Sequence, residues 1–255
     1  MNSPSAIDAS TAPAPAIEVQ ALHKSFGDQV VLDSLALRVG AGDSVAVLGK
    51  SGTGKSVLLR LLVRLEQPDS GSICIHGQNI EGLPTVRMNS LRTKIGFLFQ
   101  SAALYDSLTL EENVAFPLTR HSALSLQQRK NRVRELLASV GLDKDVDKMP
   151  GEISGGMKKR VGIARALALE PDILLFDEPT AGLDPITAAE IDALIARLQR
   201  EHKLTVLVVT HDIQGARTVA ERLVLLRDGK MLVEGSYEQL LASQDEFVRQ
   251  FLRSN

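Results

Sequence analysis

Eight consecutive residues have the types and the spacing to bind a chain of phosphates. They are Gly49, Lys50, Ser51, Gly52, Thr53, Gly54, Lys55 and Ser56, and Val57 follows them. Glycines let the backbone curl so that several N–H groups point inward at phosphate oxygens, and a following helix adds its partial positive charge. Lys55 could pair with the terminal phosphates, and the Ser56 hydroxyl could bind Mg²⁺. The run therefore predicts a phosphate-binding loop between a strand and a helix.

An acidic pair at the end of an apolar run could complete this chemistry. Residues 173–176 read Ile-Leu-Leu-Phe, which is typical of a buried parallel strand, and Asp177 and Glu178 follow directly. Ligands of α/β sheets bind at the carboxyl ends of the strands. We expect Asp177 to hold Mg²⁺ through water and Glu178 to polarise an attacking water. Acidic residues are also common strand caps, so this prediction depends on the phosphate loop.

The elements that must position these residues alternate between strands and helices. Apolar patterns predict strands over residues 17–22, 32–39, 44–48, 72–75, 173–176 and 204–210. Helical spacing predicts helices over residues 57–65, 156–169, 186–200 and 213–220. A hairpin is expected within residues 223–233, where Asp228-Gly229 separates two apolar runs. This alternation predicts the α/β fold class, with a parallel sheet flanked by helices.

The segment from about residue 102 to 151 differs, because it contains no strand pattern. Residues 124–140 have helical spacing, and Ser125 with Gln128 could form a capping box at the start of that helix. We interpret the segment as a helical insertion into the sheet core. The basic run at residues 158–160, Lys-Lys-Arg, is interpreted as a solvated face of the next helix.

Composition excludes several classes of protein. Of 255 residues, 44% are hydrophobic and 24% charged, which is enough apolar material for a sizeable core. The net charge of −2 argues against a protein that coats nucleic acid, and no apolar run approaches the about 20 residues of a membrane span. The single cysteine, Cys74, excludes an internal disulfide and a cysteine-based zinc cluster. No signal peptide is visible, which favours the cytosol.

A third motif separates this chain from other proteins with a phosphate loop. Residues 153–157 read Ile-Ser-Gly-Gly-Met, ahead of the acidic pair and at the start of a predicted helix. Together with the two motifs above, this run resembles the signature of the ATP-binding cassette (ABC) ATPases. Four more positions resemble landmarks of that family in the family's order: Phe26, Gln100, Asp184 and His211. Phe26 or His211 alone would be read as an ordinary structural residue.

The resemblance implies a P-loop NTPase fold with a parallel-sheet core, an N-terminal antiparallel β part and an inserted α-helical subdomain. It places the ATPase domain at residues 17–241, with the helical subdomain at about residues 102–165. Residues 1–16 are rich in Ala, Ser and Pro and are expected to form a flexible tail with no packing role. Residues 242–255 are expected to form a short C-terminal helix or tail.

The resemblance also implies that the site binds ATP and Mg²⁺. Phe26 matches the aromatic that stacks on adenine, and residues 49–57 match the loop that holds the phosphates. The implied metal ligands are Ser56, Gln100 and Asp177. The implied catalytic residues are Glu178, His211 and Lys55.

Two copies of an ABC ATPase pair head to tail, so each site is shared between them. The resemblance therefore implies that Ser154, Gly155 and Gly156 contact ATP held by Lys55 of a second copy. The start of a helix with two glycines is a physically reasonable anion site. Asp184, in the loop that joins the two copies, is expected at the same shared site.

Met157 stands where the family usually has Gln, and it is similar to the ATPases of Mla/Mce-type phospholipid transporters, including toluene-tolerance systems. Residues 104–118, 176–187 and 248–252 resemble the same subgroup. The implied partners are a membrane permease, a STAS-type accessory protein and an MCE-type substrate-binding protein, with no nucleic acid. The implied location is peripheral, on the cytoplasmic face of the inner membrane. Two alternatives are the ATPase of another ABC importer or exporter, and a soluble ABC protein that acts on ribosomes or DNA.

Overall fold

Two sheets form the framework of residues 14–253, the part of the chain that the computed structural model describes. The strands are β1 (Ile17–Phe26), β2 (Gln29–Val39), β3 (Ser44–Leu48), β4 (Ser70–Ile75), β5 (Gln78–Asn79), β6 (Ile95–Leu98), β7 (Ile173–Asp177), β8 (Thr205–Thr210), β9 (Arg222–Arg227) and β10 (Lys230–Gly235). The helices are α1 (Lys55–Leu62), α2 (Thr85–Arg92), α3 (Leu110–His121), α4 (Leu126–Ser139), α5 (Gly155–Ala166), α6 (Pro185–His202), α7 (Ile213–Val219), α8 (Tyr237–Leu241) and α9 (Glu246–Arg253).

The six-stranded sheet is the parallel core that the alternating pattern predicts. Its strand order is β10-β9-β3-β8-β7-β6, and its first five strands in chain order, β3, β6, β7, β8 and β9, run parallel. The carboxyl ends of β3, β7 and β8 therefore lie side by side at one edge of the sheet. β10 pairs antiparallel with β9 through the turn at Asp228 and Gly229, where φ is 49° and 75°. Positive φ at both positions is what a type I′ hairpin requires, so the hairpin prediction is confirmed.

The four-stranded sheet is the N-terminal antiparallel part that the resemblance implies. Its strand order is β2-β1-β4-β5, and each neighbouring pair runs antiparallel. This sheet and helices α1 and α2 cover one face of the parallel sheet, where Leu175 and Val209 are buried. Helices α3 to α9 cover the other face, where Phe176 and Val208 are buried. Alternate residues of each strand therefore enter opposite cores, which explains the continuous apolar runs.

The inserted helical part consists of α3, α4 and the start of α5, and it follows β6. Ser125 and Gln128 form the predicted capping box: Gln128 N–H donates to Ser125 Oγ at 3.3 Å, and Ser125 N–H donates to Gln128 Oε1 at 2.9 Å. The sequence interpretation did not place α3, which begins with a second capping box and contains Pro117. Pro117 makes this helix difficult to predict from the sequence, because proline lacks the N–H that a residue in the interior of a helix donates.

Several boundaries differ from the predictions, among them the following three. The expected tail over residues 1–16 is wrong at its end, because Ala16 is fully buried and its carbonyl accepts from the His76 N–H at 2.9 Å. Residues 1–13 of that expected tail lie outside the described residues. Helix α1 ends at Leu62 and not at residue 65, because Arg64 turns the chain with φ of 52°. The strand β1 continues beyond the predicted residue 22 to Phe26.

None of the helices in residues 14–253 has both the length and the apolar character that a bilayer span needs.

Candidate nucleotide-binding site

The phosphate loop lies between the end of β3 and the start of α1, as its sequence predicts. Gly54 has φ of 96°, and a Cβ there would lie 2.9 Å from side-chain atoms of Val31 and Leu32. A Cβ at Gly49 would lie 2.8 Å from the Leu226 carbonyl oxygen. Glycine is therefore required at both positions. The first N–H groups of α1 have no partner within the helix and face the loop.

The Lys55 side chain lies inside the loop and is only 5% exposed. Its ammonium donates to the carbonyl oxygens of Gly49 at 2.8 Å and Lys50 at 3.0 Å. The same Nζ lies 3.4 Å from Glu178 Oε1. The buried charge is therefore surrounded by acceptors, and it joins the loop to the acidic end of β7.

A hydroxyl and a carboxylate meet beside the loop. Ser56 Oγ donates to Asp177 Oδ1 at 2.7 Å, and Asp177 is 6% exposed. Burial raises the pKa of the Asp177 carboxyl above its ordinary value, and the Ser56 hydrogen bond opposes this. A nearby cation would favour the ionised carboxylate, and hydroxyl and carboxylate oxygens are ligands that Mg²⁺ accepts. The pair therefore fits the magnesium site that the sequence predicts.

The Glu178 carboxylate is held by a network of donors. Its Oε2 accepts from Thr210 Oγ at 3.0 Å and from the His211 N–H at 3.3 Å, and it lies 2.9 Å from His211 Nδ1. Glu178 has φ of 45°, a left-handed conformation that is unusual for a residue with a Cβ. Strained backbone of this kind often marks a functional residue. The network brings Lys55, Glu178 and His211 together as the sequence predicts.

These groups open onto one cavity of about 670 Å³, called here the nucleotide cavity. A volume of this size is within the range of cofactor and ligand sites. The predicted residues that line it are Phe26, Lys50, Ser51, Gly52, Gly54, Lys55, Ser56, Val57, Gln100, Glu178 and His211. Phe26 is 45% exposed, so its ring is available to a ligand. Gly49, Thr53 and Asp177 lie behind this lining and shape the loop through the contacts of Lys55, Lys50 and Ser56.

Four further predicted site residues are also absent from this lining: Ser154, Gly155, Gly156 and Asp184. Ser154 caps α5 by accepting from the Met157 N–H, and Asp184 caps α6 by accepting from the N–H groups of Ile186 and Thr187. A Cβ at Gly156 would clash with the Thr187 side chain, so glycine lets α5 and α6 approach closely. We call Ser154, Gly155, Gly156, Leu183 and Asp184 the signature surface.

Lys159 is a site residue that the sequence interpretation misjudged. It was expected on a solvated helix face, and this is wrong: Lys159 is 5% exposed. Its ammonium donates to the carbonyl oxygens of Gln100 at 2.6 Å and Glu178 at 3.0 Å, and burial lowers its pKa to about 8. The spacing of Lys159 could have indicated its burial. It lies three residues from both Gly156 and Gly162, so it shares one face of α5 with two small residues.

The C-terminal helix α9 also reaches the nucleotide cavity, which its sequence did not indicate. Phe251 lines the cavity, and the Phe247 ring lies 5.9 Å from Lys50 Nζ. Val248 and Leu252 on the same helix are buried in the core. The expected short C-terminal element is therefore a packed helix over Glu246–Arg253, and residues 254–255 lie outside the described part.

The loop, the buried carboxylates and the cavity define a P-loop nucleotide-binding domain. Residues 32–181 match the ABC transporter family. The Mkl protein of Mycobacterium tuberculosis, called a probable ribonucleotide transport ATP-binding protein, is 44% identical over 236 residues, which cover 92% of this chain and 66% of that protein. The MlaF protein of Haemophilus influenzae, named for an intermembrane phospholipid transport system, is 41% identical over 237 residues, which cover 93% of this chain and 90% of that protein.

A solved structure agrees with these relatives. The ATP-binding cassette MJ0796, in a dimeric post-hydrolysis state bound to ADP and Pi, superimposes with a TM-score of 0.79 at 36% identity, covering 86% of this chain and 98% of that one. This chain therefore belongs to the ABC transporter family. The family and fold expected from the residues are confirmed, and the similarity to MlaF agrees with the subgroup that Met157 indicates.

Proposed function

We propose that this chain is the ATP-binding and ATP-hydrolysing subunit of an ABC transporter that moves phospholipid through a membrane permease. The observation that carries the ATPase assignment is the contact of the buried Glu178 carboxylate with both Lys55 and His211 at the phosphate loop. Such a cluster places a carboxylate and two cationic or hydrogen-bonding groups around one point. That is the arrangement phosphoryl transfer to water requires.

ATP is the proposed substrate of the nucleotide cavity. The N–H groups of residues 49–57 and the Lys55 ammonium bind the phosphates, and the exposed ring of Phe26 stacks on the adenine. Ser56, Asp177 and Gln100 would hold Mg²⁺, which would neutralise charge on the phosphate oxygens. Lys55 exchanges its carbonyl acceptors for phosphate oxygens without leaving the loop, because its Nζ already lies within the curl.

Glu178 is the proposed general base. Its carboxylate orients the water that attacks the γ-phosphorus and accepts a proton from it as the bond to the bridging oxygen of ADP breaks. The Thr210 hydroxyl and the His211 N–H fix the orientation of the carboxylate. His211 is the proposed contact to the γ-phosphate. Because His211 lies beside Glu178, it can contact the γ-phosphate and the carboxylate that orients the water at the same time.

A second copy of the chain is the proposed source of the missing side of the site. Ser154, Gly155, Gly156 and Asp184 do not line the nucleotide cavity of their own chain. Ser154 and Gly155 are exposed at the N-terminal end of α5, where anions bind favourably. The dimeric state of MJ0796 supports the head-to-tail pairing. ATP then lies between two copies and stabilises the dimer until it is hydrolysed.

The permease is proposed to bind beside Gln100, at a groove of about 360 Å³ whose walls include Phe97, Phe99, Tyr105 and Phe116. Its aromatic lining suits an amphipathic helix of a partner. This contact would place the chain peripherally on the cytoplasmic face of the inner membrane. STAS-type and MCE-type proteins are proposed as further partners on the similarity to MlaF. The name of Mkl supports the alternative of a ribonucleotide cargo.

The variant Glu178→Gln tests the ATPase assignment. It keeps the shape of the side chain but cannot accept a proton, so we expect turnover to fall about 100-fold or more while Mg-ATP binding remains. Size-exclusion chromatography with Mg-ATP should then show a persistent dimer. Glu66→Gln, at a half-buried position outside the lining of the nucleotide cavity, is the matched control. A Glu178→Gln variant that stays monomeric and hydrolyses ATP at the wild-type rate would contradict the proposal.

The cargo is tested by purifying the tagged chain from native membranes in mild detergent. Mass spectrometry of the eluate should find a permease, an MCE-type protein and enriched phospholipid. A different permease without lipid enrichment would leave the ATPase assignment intact and reject the phospholipid assignment.

A further inference from the structure

Helix α5 carries the signature surface at its start and contacts the core of the nucleotide cavity one and a half turns later. Ser154 and Gly155 are exposed, whereas Lys159 is buried. The Lys159 ammonium donates to the main-chain carbonyls of Gln100 at 2.6 Å and Glu178 at 3.0 Å. A single cation therefore bridges two segments that lie 78 residues apart in the chain, and both residues belong to the proposed site.

The Glu178 end of this bridge holds a backbone that would otherwise relax. Glu178 has φ of 45°, and its N–H donates to the Val209 carbonyl at 2.9 Å. Lys159 fixes the other side of the residue, its carbonyl oxygen. The carboxylate points at Lys55 and His211 only while this left-handed conformation persists. The ammonium thus sets the direction of the side chain through the main chain.

The Gln100 end of the bridge belongs to a loop that α5 holds at several points. Arg165, further along α5, donates to the carbonyls of Ala102 at 2.6 Å and Ala103 at 2.8 Å. A Cβ at Gly162 would lie 2.5 Å from a Leu98 methyl carbon, so the helix packs directly on the strand that leads into this loop. Movement of residues 100–103 therefore cannot occur without a response at Lys159.

We propose that Lys159 is a positioning residue that couples the loop at Gln100 to the carboxylate of Glu178, so that a partner bound beside Gln100 changes the rate of hydrolysis. The inference depends on the proposed function in one respect, namely that Glu178 acts on ATP. It assigns to α5 a role besides the contact of its N-terminus with a second copy. The link is a charge-assisted hydrogen-bond pair in a water-poor setting, where such bonds are strong.

The test compares Lys159→Met with Lys158→Met. Methionine preserves most of the side-chain volume at position 159 but donates no hydrogen bond, and Lys158 is a half-buried lysine at the adjacent position of the same helix. We expect Lys159→Met to lower kcat at least about tenfold with KM for ATP changed less than about twofold, because only the carboxylate is misplaced. Lys158→Met should keep kcat within about twofold of the wild type.

Lys159→Gln provides the rescue, since its amide supplies two N–H donors, although its nitrogen lies one bond closer to the main chain than the lysine ammonium. It should recover a substantial part of the kcat that Lys159→Met loses, and it also serves if the methionine variant does not fold. Equal kcat in Lys159→Met and Lys158→Met, or a Gln variant no more active than the Met variant, would overturn the proposal. Glu178→Gln assayed in parallel distinguishes the two levels, because wild-type turnover in that variant would refute the proposed function instead.

Discussion

In the nucleotide cavity, the charged groups Lys55 and Glu178 are buried and bonded to each other, whereas on the signature surface Ser154 and Asp184 are exposed and bonded only to their own helix starts. Lys55 and Glu178 are 5% and 9% exposed and contact each other. The side-chain oxygens of Ser154 and Asp184 accept hydrogen bonds from the first N–H groups of α5 and α6 and so cap these helices. The first region is preorganised before a ligand binds, and the second is the proposed contact surface for ATP held by a second copy.

This difference explains why a single copy of the chain carries two half-sites of the proposed dimer. The carboxyl ends of β3, β7 and β8 converge at one sheet edge, so the cavity needs no other molecule to form. Helices α5 and α6 instead start on a separate surface, where Gly156 and Thr187 fix their close approach. Function should therefore fail in different ways when each region is altered.

Lys55→Ala should have the largest effect, because it removes the only charge buried in the curl of residues 49–56. We expect ATP affinity to fall about 100-fold or more, measured by titration with a fluorescent ATP analogue. Lys144→Ala, on an exposed loop, is the matched control. Micromolar ATP affinity retained in Lys55→Ala would refute the role of the loop.

Gly155→Asp should spare ATP binding and abolish turnover. An acidic residue is favourable at a helix N-terminus, so α5 should still form, but the carboxylate would repel ATP held by a second copy. We expect hydrolysis to fall about 100-fold, with nucleotide affinity of the single copy unchanged.

Mixing Gly155→Asp with Lys55→Ala sharpens this prediction. Half of randomly mixed dimers would contain one intact composite site, so about a quarter of wild-type turnover should return. An ATPase assay of the two variants, alone and mixed at equal concentration, measures the recovery. Turnover of the mixture no higher than that of either variant would reject the shared site.

The contrast also explains how far the sequence could predict the site. Residues 49–57 and 177–178 form the cavity from two local motifs, each tied to a strand end, so their chemistry and position follow from spacing alone. Lys159 could not be placed in this way, because its role depends on two carbonyls that come from β6–α3 and β7–α6 loops. A basic run does not indicate which of its members turns inward.

Helices α2, α3 and α9 show that prediction from the sequence has the same limit for the fold. α3 carries Pro117, and α2 exposes most of its side chains and buries only Met88 and Leu91. Phe251 reaches the nucleotide cavity because α9 packs back onto the core, a tertiary contact with no local signal. The sheet was predictable because its apolar period is strong, whereas α2 and α3 were not placed, because packing decides them.

Asp192→Asn should stabilise the protein at high pH. Asp192 lies on α6, is 5% exposed and faces Asp212, and burial raises its pKa to about 7. Between about pH 4 and pH 7 the folded protein retains a proton that the unfolded chain has lost, so stability falls as pH rises through that window. The full loss is about 4 kcal/mol at about 1.4 kcal/mol per pH unit.

Urea unfolding at pH 5 and pH 8 measures this effect. Wild type should lose stability between the two values, and Asp192→Asn should lose less and exceed the wild type at pH 8. Glu201→Gln, an exposed carboxyl on the same helix, should change stability by less than about 0.5 kcal/mol. An identical pH dependence in wild type and Asp192→Asn would show that Asp192 is ionised in the fold.

Phe26→Ala should have the smallest effect, because the ring contributes to the nucleotide cavity and not to the core. Phe26 is 45% exposed and lies 4.9 Å from Lys24 Nζ. Loss of adenine stacking at about 0.5–1.5 kcal/mol should raise KM for ATP about two- to tenfold and leave kcat unchanged. Phe26→Tyr keeps the stacking face and should bind ATP as the wild type does. If Phe26→Ala lowered kcat as well, the ring would belong with the buried network of Lys55 and Glu178, and the cavity could no longer be divided into an adenine-binding rim and a catalytic interior.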